Sequence, residues 1–208
     1  MIELEKLLRT CATFHKHLCP RQVLGVRMGL LGGKWLGLQV PQEGKRLLAL
    51  VETDGCAVDG IAAASGCRVG RRTLRVIDFG KVAVTFVDTH TRQAVRIAPH
   101  AAARERAWAY APEVETRWQA QLWGYQRMPD DKLLLAREVS LLFSLEELLS
   151  KAGYRVHCQV CGEEIINERE VLQNGLTLCR ACAGQDYCQP VEALVSLPVG
   201  GLQVAARV

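Results

Sequence analysis

The C-terminal quarter of the chain holds two CxxC pairs, Cys158 and Cys161 in CQVC and Cys179 and Cys182 in CRAC, with seventeen residues between them. A tetrahedral zinc ion takes four ligands, and one tight CxxC turn delivers two thiolates to the same ion at ~2.3 Å. Two such turns therefore close a structural site with no position left for substrate water. A thioredoxin-type redox pair is the alternative for one CxxC, but it has no use for a second. Asn174-Gly175 between the pairs marks a tight hairpin. A structural zinc ion held by Cys158, Cys161, Cys179 and Cys182 is expected, and the metal should fold the segment around it. The intervening stretch GEEIINEREVLQNGLTL is more acidic than basic, which suits protein contact or self-docking better than nucleic acid.

A chain of 208 residues has room for one ordinary domain beside such a module, so we expect residues 1–153 to form a core domain and residues 154–208 a zinc-finger domain with a tail. The N-terminus, MIELEKLLRT, carries acids early and lacks a basic segment followed by an apolar run, so it does not read as a secretory signal. No run approaches the ~20 apolar residues of a membrane helix, and a cytoplasmic protein is expected. Nine cysteines in that reducing compartment point to metal ligands or reactive thiols, not to a disulfide framework. The net charge of +4 comes from scattered arginines, which gives no basic recognition surface for nucleic acid.

In the first domain, Leu4, Leu7, Leu8 and Cys11 recur at helical spacing, predicting a helix over residues 3–13. Pro20 fits the first position of a second helix capped by Cys19, with Gly25 and Gly29 on one side for close backbone approach. LLALV at 47–51 predicts a buried strand, and the turn-forming TDG after it delivers Cys56 to the start of a third helix closed by Gly66. VAVTFVD and QAVRIA predict a hairpin around residues 89–92. Two helices divided at Pro112 are expected between His100 and Tyr125, with Trp108, Trp118 and Trp123 packed on the sheet or a partner. A strand follows near 137–142, then a helical linker through FSLEELLSKAG. The tail alternates around Gly200-Gly201, a hairpin signal.

His15, His17 and Cys19 fall within five residues, a mixture of imidazole and thiolate that suits a borderline-soft ion such as zinc, nickel or iron, and Cys56 is able to complete the set from another element. Cys19 and Cys56 both stand at predicted helix starts, where the helix dipole and free N–H groups favour the thiolate. The bland reading is that these are buried thiols and hydrogen-bonded histidines of an ordinary core. Asp59, three residues after Cys56, is placed to face it or is simply a first-turn acid. Lys81 at the start of an apolar run is either an active-site cation or a strand-end solubiliser.

The segments FHKHLCPRQVLGVRMG, ETDGCAVDGI, SGCRVG and DFGKVAVTF, followed by CxxC…CxxC, resemble the FmdE-like proteins, a family that takes its name from formylmethanofuran dehydrogenase. The resemblance implies an α+β fold, thioredoxin-like in layout, with a mixed sheet flanked by helices, a treble-clef zinc finger appended, and a homodimer formed by helix exchange. It also implies a link to molybdenum- or tungsten-dependent one-carbon redox enzymes, whose complexes become candidate partners. Carried onto this sequence, it makes His17, Cys19 and Cys56 the leading metal ligands, with His15 next, and a second transition metal (zinc, nickel or iron) the expected cofactor.

Two classes of function remain open on these residues. One is a metal-binding accessory protein or small metalloenzyme in which, if it is catalytic, Cys56, Asp59 and Lys81 are the candidate reacting groups. The other is a non-catalytic metal carrier or assembly module, or a zinc-finger protein-interaction regulator.

Overall fold

The computed structural model describes residues 2–15, 17–149 and 153–189. The chain divides into two compact units, Met1–Leu145 and Glu146–Val208. The hairpin expected around Gly200-Gly201 lies outside the described residues.

The first unit is organised by β1 (Leu47–Val51), whose five consecutive apolar side chains are all buried, as a strand covered on both faces requires. It pairs in parallel with the short β2 (Leu74–Val76) and antiparallel with β3 (Val84–Asp88), which continues through the antiparallel β4 (Ala94–Pro99) to β5 (Leu134–Glu138). The result is a mixed five-stranded sheet in the order β2-β1-β3-β4-β5. This α+β arrangement, a central mixed sheet flanked by helices, is the class expected from the sequence.

Helices α1 (Ile2–His15), α2 (Pro20–Leu36) and α3 (Cys56–Ser65) follow the apolar periodicity closely. Gly66 ends α3 in the left-handed region at φ 77°, the helix stop that glycine adopts without penalty. α2 and α3 meet through glycine. A Cβ on Gly25 would overlap the Ala57 carbonyl oxygen and sit 2.9 Å from the Gly60 Cα, and one on Gly60 would overlap the Gln22 carbonyl oxygen. The two backbones are therefore in direct contact, with no room for a side chain between them.

The rest of the helical layer departs from expectation. Residues 100–127 give α4 (Ala103–Arg106), a 3-10 turn over Ala107–Tyr110 and α5 (Arg117–Arg127). α5 starts at Thr116, whose hydroxyl accepts from the Gln119 N–H while Gln119 accepts from the Thr116 N–H, so the T-x-x-Q capping box, not Pro112, sets the boundary. Trp108, Trp118 and Trp123, expected on the sheet or a partner, are each more than two-fifths exposed. The expected strand at 137–142 forms earlier, as β5, after the short α6 (Asp130–Leu133). Of the expected linker helix, the described residues show α7 (Leu145–Leu149).

α5 is held in place by Arg27 of α2, which is 8% exposed. Its guanidinium donates to the carbonyls of Tyr125 (2.6 Å) and Met128 (2.7 Å) and to the Asp130 carboxylate (2.6 Å). A buried cation thus satisfies the orphan carbonyls at the C-terminus of α5.

Asp88 at the end of β3 is 1% exposed, and both its oxygens accept from Arg46, at 3.1 and 2.8 Å, with a further bond from the His90 N–H. The Arg46 guanidinium holds this carboxyl down to about 2, against an ordinary value of 3.8. A depressed carboxyl contributes stability that is present above pH ~4 and is lost as pH falls toward 2. Because Arg46 is 40% exposed, solvent screening reduces that contribution to about 1 kcal/mol. Urea unfolding of the wild type should therefore weaken between pH 4 and 2, and Asp88→Asn should remove that part of the slope.

The second unit contains two antiparallel hairpins, β6 (Arg155–His157) with β7 (Glu164–Ile166) and β8 (Val171–Gln173) with β9 (Leu176–Leu178). Asn174 and Gly175 both have positive φ (52° and 77°), the turn that Asn-Gly favours. Among its described residues, buried apolar side chains are few, namely Cys158, Ile165 and Leu178.

Candidate metal centres and the cavity beside them

In the second unit the sulfurs of Cys158, Cys161, Cys179 and Cys182 all lie within 4.8 Å of one another. The Cys161 and Cys179 sulfurs are 3.9 Å apart, close to the ~3.8 Å edge of a tetrahedron with Zn–S bonds of ~2.3 Å. Each pair is held by a tight turn. Gly162 N–H donates to the Cys158 carbonyl at 2.9 Å, and Cys182 N–H donates to the Cys179 sulfur at 3.3 Å. The backbone N–H groups of Cys161 and Cys179 pull the Cys158 thiol down to about 6, whereas crowding against the Cys179 thiol, and burial, push Cys182 up to about 12. One thiolate forms readily and a fourth does not without a cation to neutralise the group, which is the donor set of a structural zinc site. Cys188 is exposed.

In the first unit, Gly55 takes φ 84° and ψ −161°, a conformation open to glycine alone, and turns the chain so that Cys56 begins α3. Cys19 precedes Pro20 at the start of α2. Gln22, fully buried, fixes that junction: its side chain accepts from the Cys19 N–H at 2.9 Å and donates to the Cys11 carbonyl at 3.1 Å, tying both ends of the HKHLCP connection. The C-x-x-Q spacing was the available signal for this role. Glu52, at the end of β1, anchors the other side. It is bound by Arg96 through two bonds of 2.6 Å, and its carbonyl accepts from Phe79 and Lys81.

These supports place the Cys19 and Cys56 thiols near each other on the lining of one cavity. The Cys19 pKa is raised, contrary to the expectation from its helix-start position. Burial outweighs the opposing backbone N–H groups of Gln22 and Arg21, and the neighbouring Cys56 adds to the rise. Cys11, also buried here, is pushed up to about 11 by burial and then by the Asp59 charge, so Asp59 lies beside Cys11. His17 is exposed, and His15 is the last residue of α1. Lys81 is exposed in the loop before β3, and its neighbour Val82, not Lys81, lines the cavity described next. Cys67 belongs to the core, its thiol donating to the Leu47 carbonyl at 3.4 Å. Among the described residues, the four C-terminal cysteines form the one close group of three or more potential metal ligands.

Cys19 and Cys56 open onto a cavity of about 490 Å³. Its opposite wall comes from residues that sequence reasoning did not single out as functional, among them His100, Arg104, Gln121 and Tyr125, together with Trp118. His100 Nδ1 accepts from the Ala102 N–H at 3.1 Å, which places the proton of the neutral ring on Nε2. No helix among the described residues is long and apolar enough to cross a membrane.

Both units match known proteins. Residues 152–187 match the prokaryotic dksA/traR C4-type zinc finger. A probable S-adenosyl-L-methionine-binding protein of Archaeoglobus fulgidus is 28% identical over 89% of this chain, and the chain spans about half, 54%, of that relative's length. The crystal structure of a tungsten formylmethanofuran dehydrogenase FmdE-like protein from Syntrophus aciditrophicus superposes with a TM-score of 0.59 at 23% identity, covering 89% of this chain and 95% of that one, a likeness of fold. Residues 14–135, more than half of the chain, match the family described as FmdE, molybdenum formylmethanofuran dehydrogenase operon. The chain therefore belongs to the FmdE family and carries a C4 zinc-binding site after its FmdE domain.

Proposed function

We propose that this protein is a metal-binding accessory component of a molybdenum- or tungsten-dependent one-carbon redox system. In this reading Cys19 and Cys56 hold a thiophilic ion, and His17 or His15 of the HKH segment supplies the third ligand. The C4 zinc region acts as a docking module, and a homodimer is the working unit. The observation that carries the reading is the convergence of the two thiols, 37 positions apart in sequence, at the mouth of a cavity where α2 and α3 begin. The operon for which the family is described supports the metabolic setting.

Two cysteines and one histidine leave at least one position open on a four-coordinate ion. Such a centre either activates a bound molecule, with Cys56, Asp59 and Lys81 as candidate reacting groups, or releases its metal as a carrier does. Cobalt substitution tests the centre itself. With the C4 site already filled by zinc, one equivalent of Co²⁺ should produce a thiolate-to-metal absorption band in the wild type. The band should be absent from Cys19→Ser/Cys56→Ser. An identical band in that variant would show that the metal binds elsewhere and end this reading.

A further inference from the structure

The cavity beside the cysteine pair has a chemistry that the metal reading does not use. Arg21 and Arg104 line it, and among the described residues no Asp or Glu does. It also lies where α2, of 17 residues, and α3, of 10, begin, so the positive ends of two helix dipoles add to the arginine charges. His100, with Nδ1 engaged by the Ala102 N–H, is left with Nε2–H as its ring donor. Arg104 lies near Tyr125, and both line the cavity, so its planar guanidinium can offer donors there. Trp118, half exposed at 50%, supplies an aromatic face at the rim. A volume of about 490 Å³ falls within the ~300–1,000 Å³ of small-molecule sites.

We propose that this cavity binds a small organic anion carrying a planar ring, with the anionic oxygens held by Arg104 and His100 and the ring laid on Trp118. Planar guanidinium donors match carboxylate and phosphate oxygens, and an exposed indole loses water contact when a flat ring covers it. The assignment goes beyond the metal reading and does not depend on it, because none of the three named residues is a proposed metal ligand.

Isothermal titration of the full-length, zinc-loaded protein with adenosine and guanosine monophosphate tests it, with inorganic phosphate and S-adenosylmethionine as contrasting probes. At least one nucleotide should bind saturably. Phosphate, lacking the ring, should bind at least about ten-fold more weakly, the scale of a lost contact of this kind. S-adenosylmethionine, whose sulfonium and ammonium outweigh its carboxylate, should also be at least about ten-fold weaker, because the cavity offers cations and no acid. Arg104→Gln and Trp118→Ala should each weaken the nucleotide at least about ten-fold while leaving the melting temperature unchanged, and Cys19→Ala/Cys56→Ala should retain it. Absence of saturable binding by either nucleotide, equal affinity in Arg104→Gln, tighter binding of S-adenosylmethionine, or loss of binding in the cysteine variant would each overturn the assignment.

Discussion

Gly60→Ala should destabilise the protein by about 3 kcal/mol and lower its melting temperature by roughly 10 °C, although helix propensity alone predicts a gain of about 1 kcal/mol. The two effects have opposite sign, and geometry decides between them. A methyl group at Gly60 overlaps the Gln22 carbonyl oxygen and lies 2.8 Å from the Val26 nitrogen, both backbone atoms that cannot swing aside. Relief requires α2 and α3 to separate. Gly25→Ala meets the same contact from the other side, so the double variant should cost less than the sum of the singles, since helices already parted by one methyl accommodate the second. Gly70→Ala, where an added methyl meets nothing within 4 Å, is the control and should change stability by less than about 0.5 kcal/mol. Because α2 begins beside Cys19 and α3 at Cys56, the same separation should pull the thiol pair apart. A Gly60→Ala protein as stable as the wild type would refute the direct backbone contact.

Stripping the zinc from the C4 region should unfold residues 153–189 and leave the first unit folded. The second unit's buried apolar core among the described residues is Cys158, Ile165 and Leu178, too little to offset the entropy of ordering these thirty-seven residues. Its four thiols cannot all ionise without a cation, so the metal supplies the missing free energy. Hydrogen exchange followed by mass spectrometry reads the two units separately. After chelation, peptides containing Gly162, Gln159 and Ala183, whose N–H groups are bonded within the two hairpins and turns, should exchange freely. Peptides from β1, β3 and α2 should keep their protection. Cys161→Ala should mimic the chelator. Protection of the hairpins that survives verified zinc loss would mean that the region folds on side-chain packing alone.

Much of this architecture is legible because the informative residues act locally. LLALV can satisfy five buried positions only as a covered strand, TDGC followed by Gly66 brackets α3, and the CxxC spacing specifies its ion almost alone. What escaped depends on pairing or on distant residues. β2 is three residues long with an arginine in the middle, and only its parallel partner β1 makes it a strand. β5 is exposed at four of its five positions, so no apolar pattern marks its register, which β4 sets. Pro112 looked like a helix start, yet the reciprocal bonds of Thr116 and Gln119 outweigh a residue whose merit is only a fixed φ. At the site, Cys19 and Cys56 were visible from their places beside Pro20 and after Gly55. The facing wall of His100, Arg104, Trp118 and Tyr125 comes from a stretch with no motif, brought there by the return of the chain after β4 and by the Arg27 bonds that hold α5. The thiol chemistry of Cys19 was misjudged because a helix start can be inferred from sequence, whereas the burial that overrides it cannot.

Elemental analysis of metal per chain, on protein purified without added metal, tests the central claim most directly when wild type and Cys19→Ala/Cys56→Ala are compared. Two metal ions per chain falling to one, with zinc retained at the C4 site, is the result predicted; one zinc in both proteins would contradict a second centre at Cys19 and Cys56.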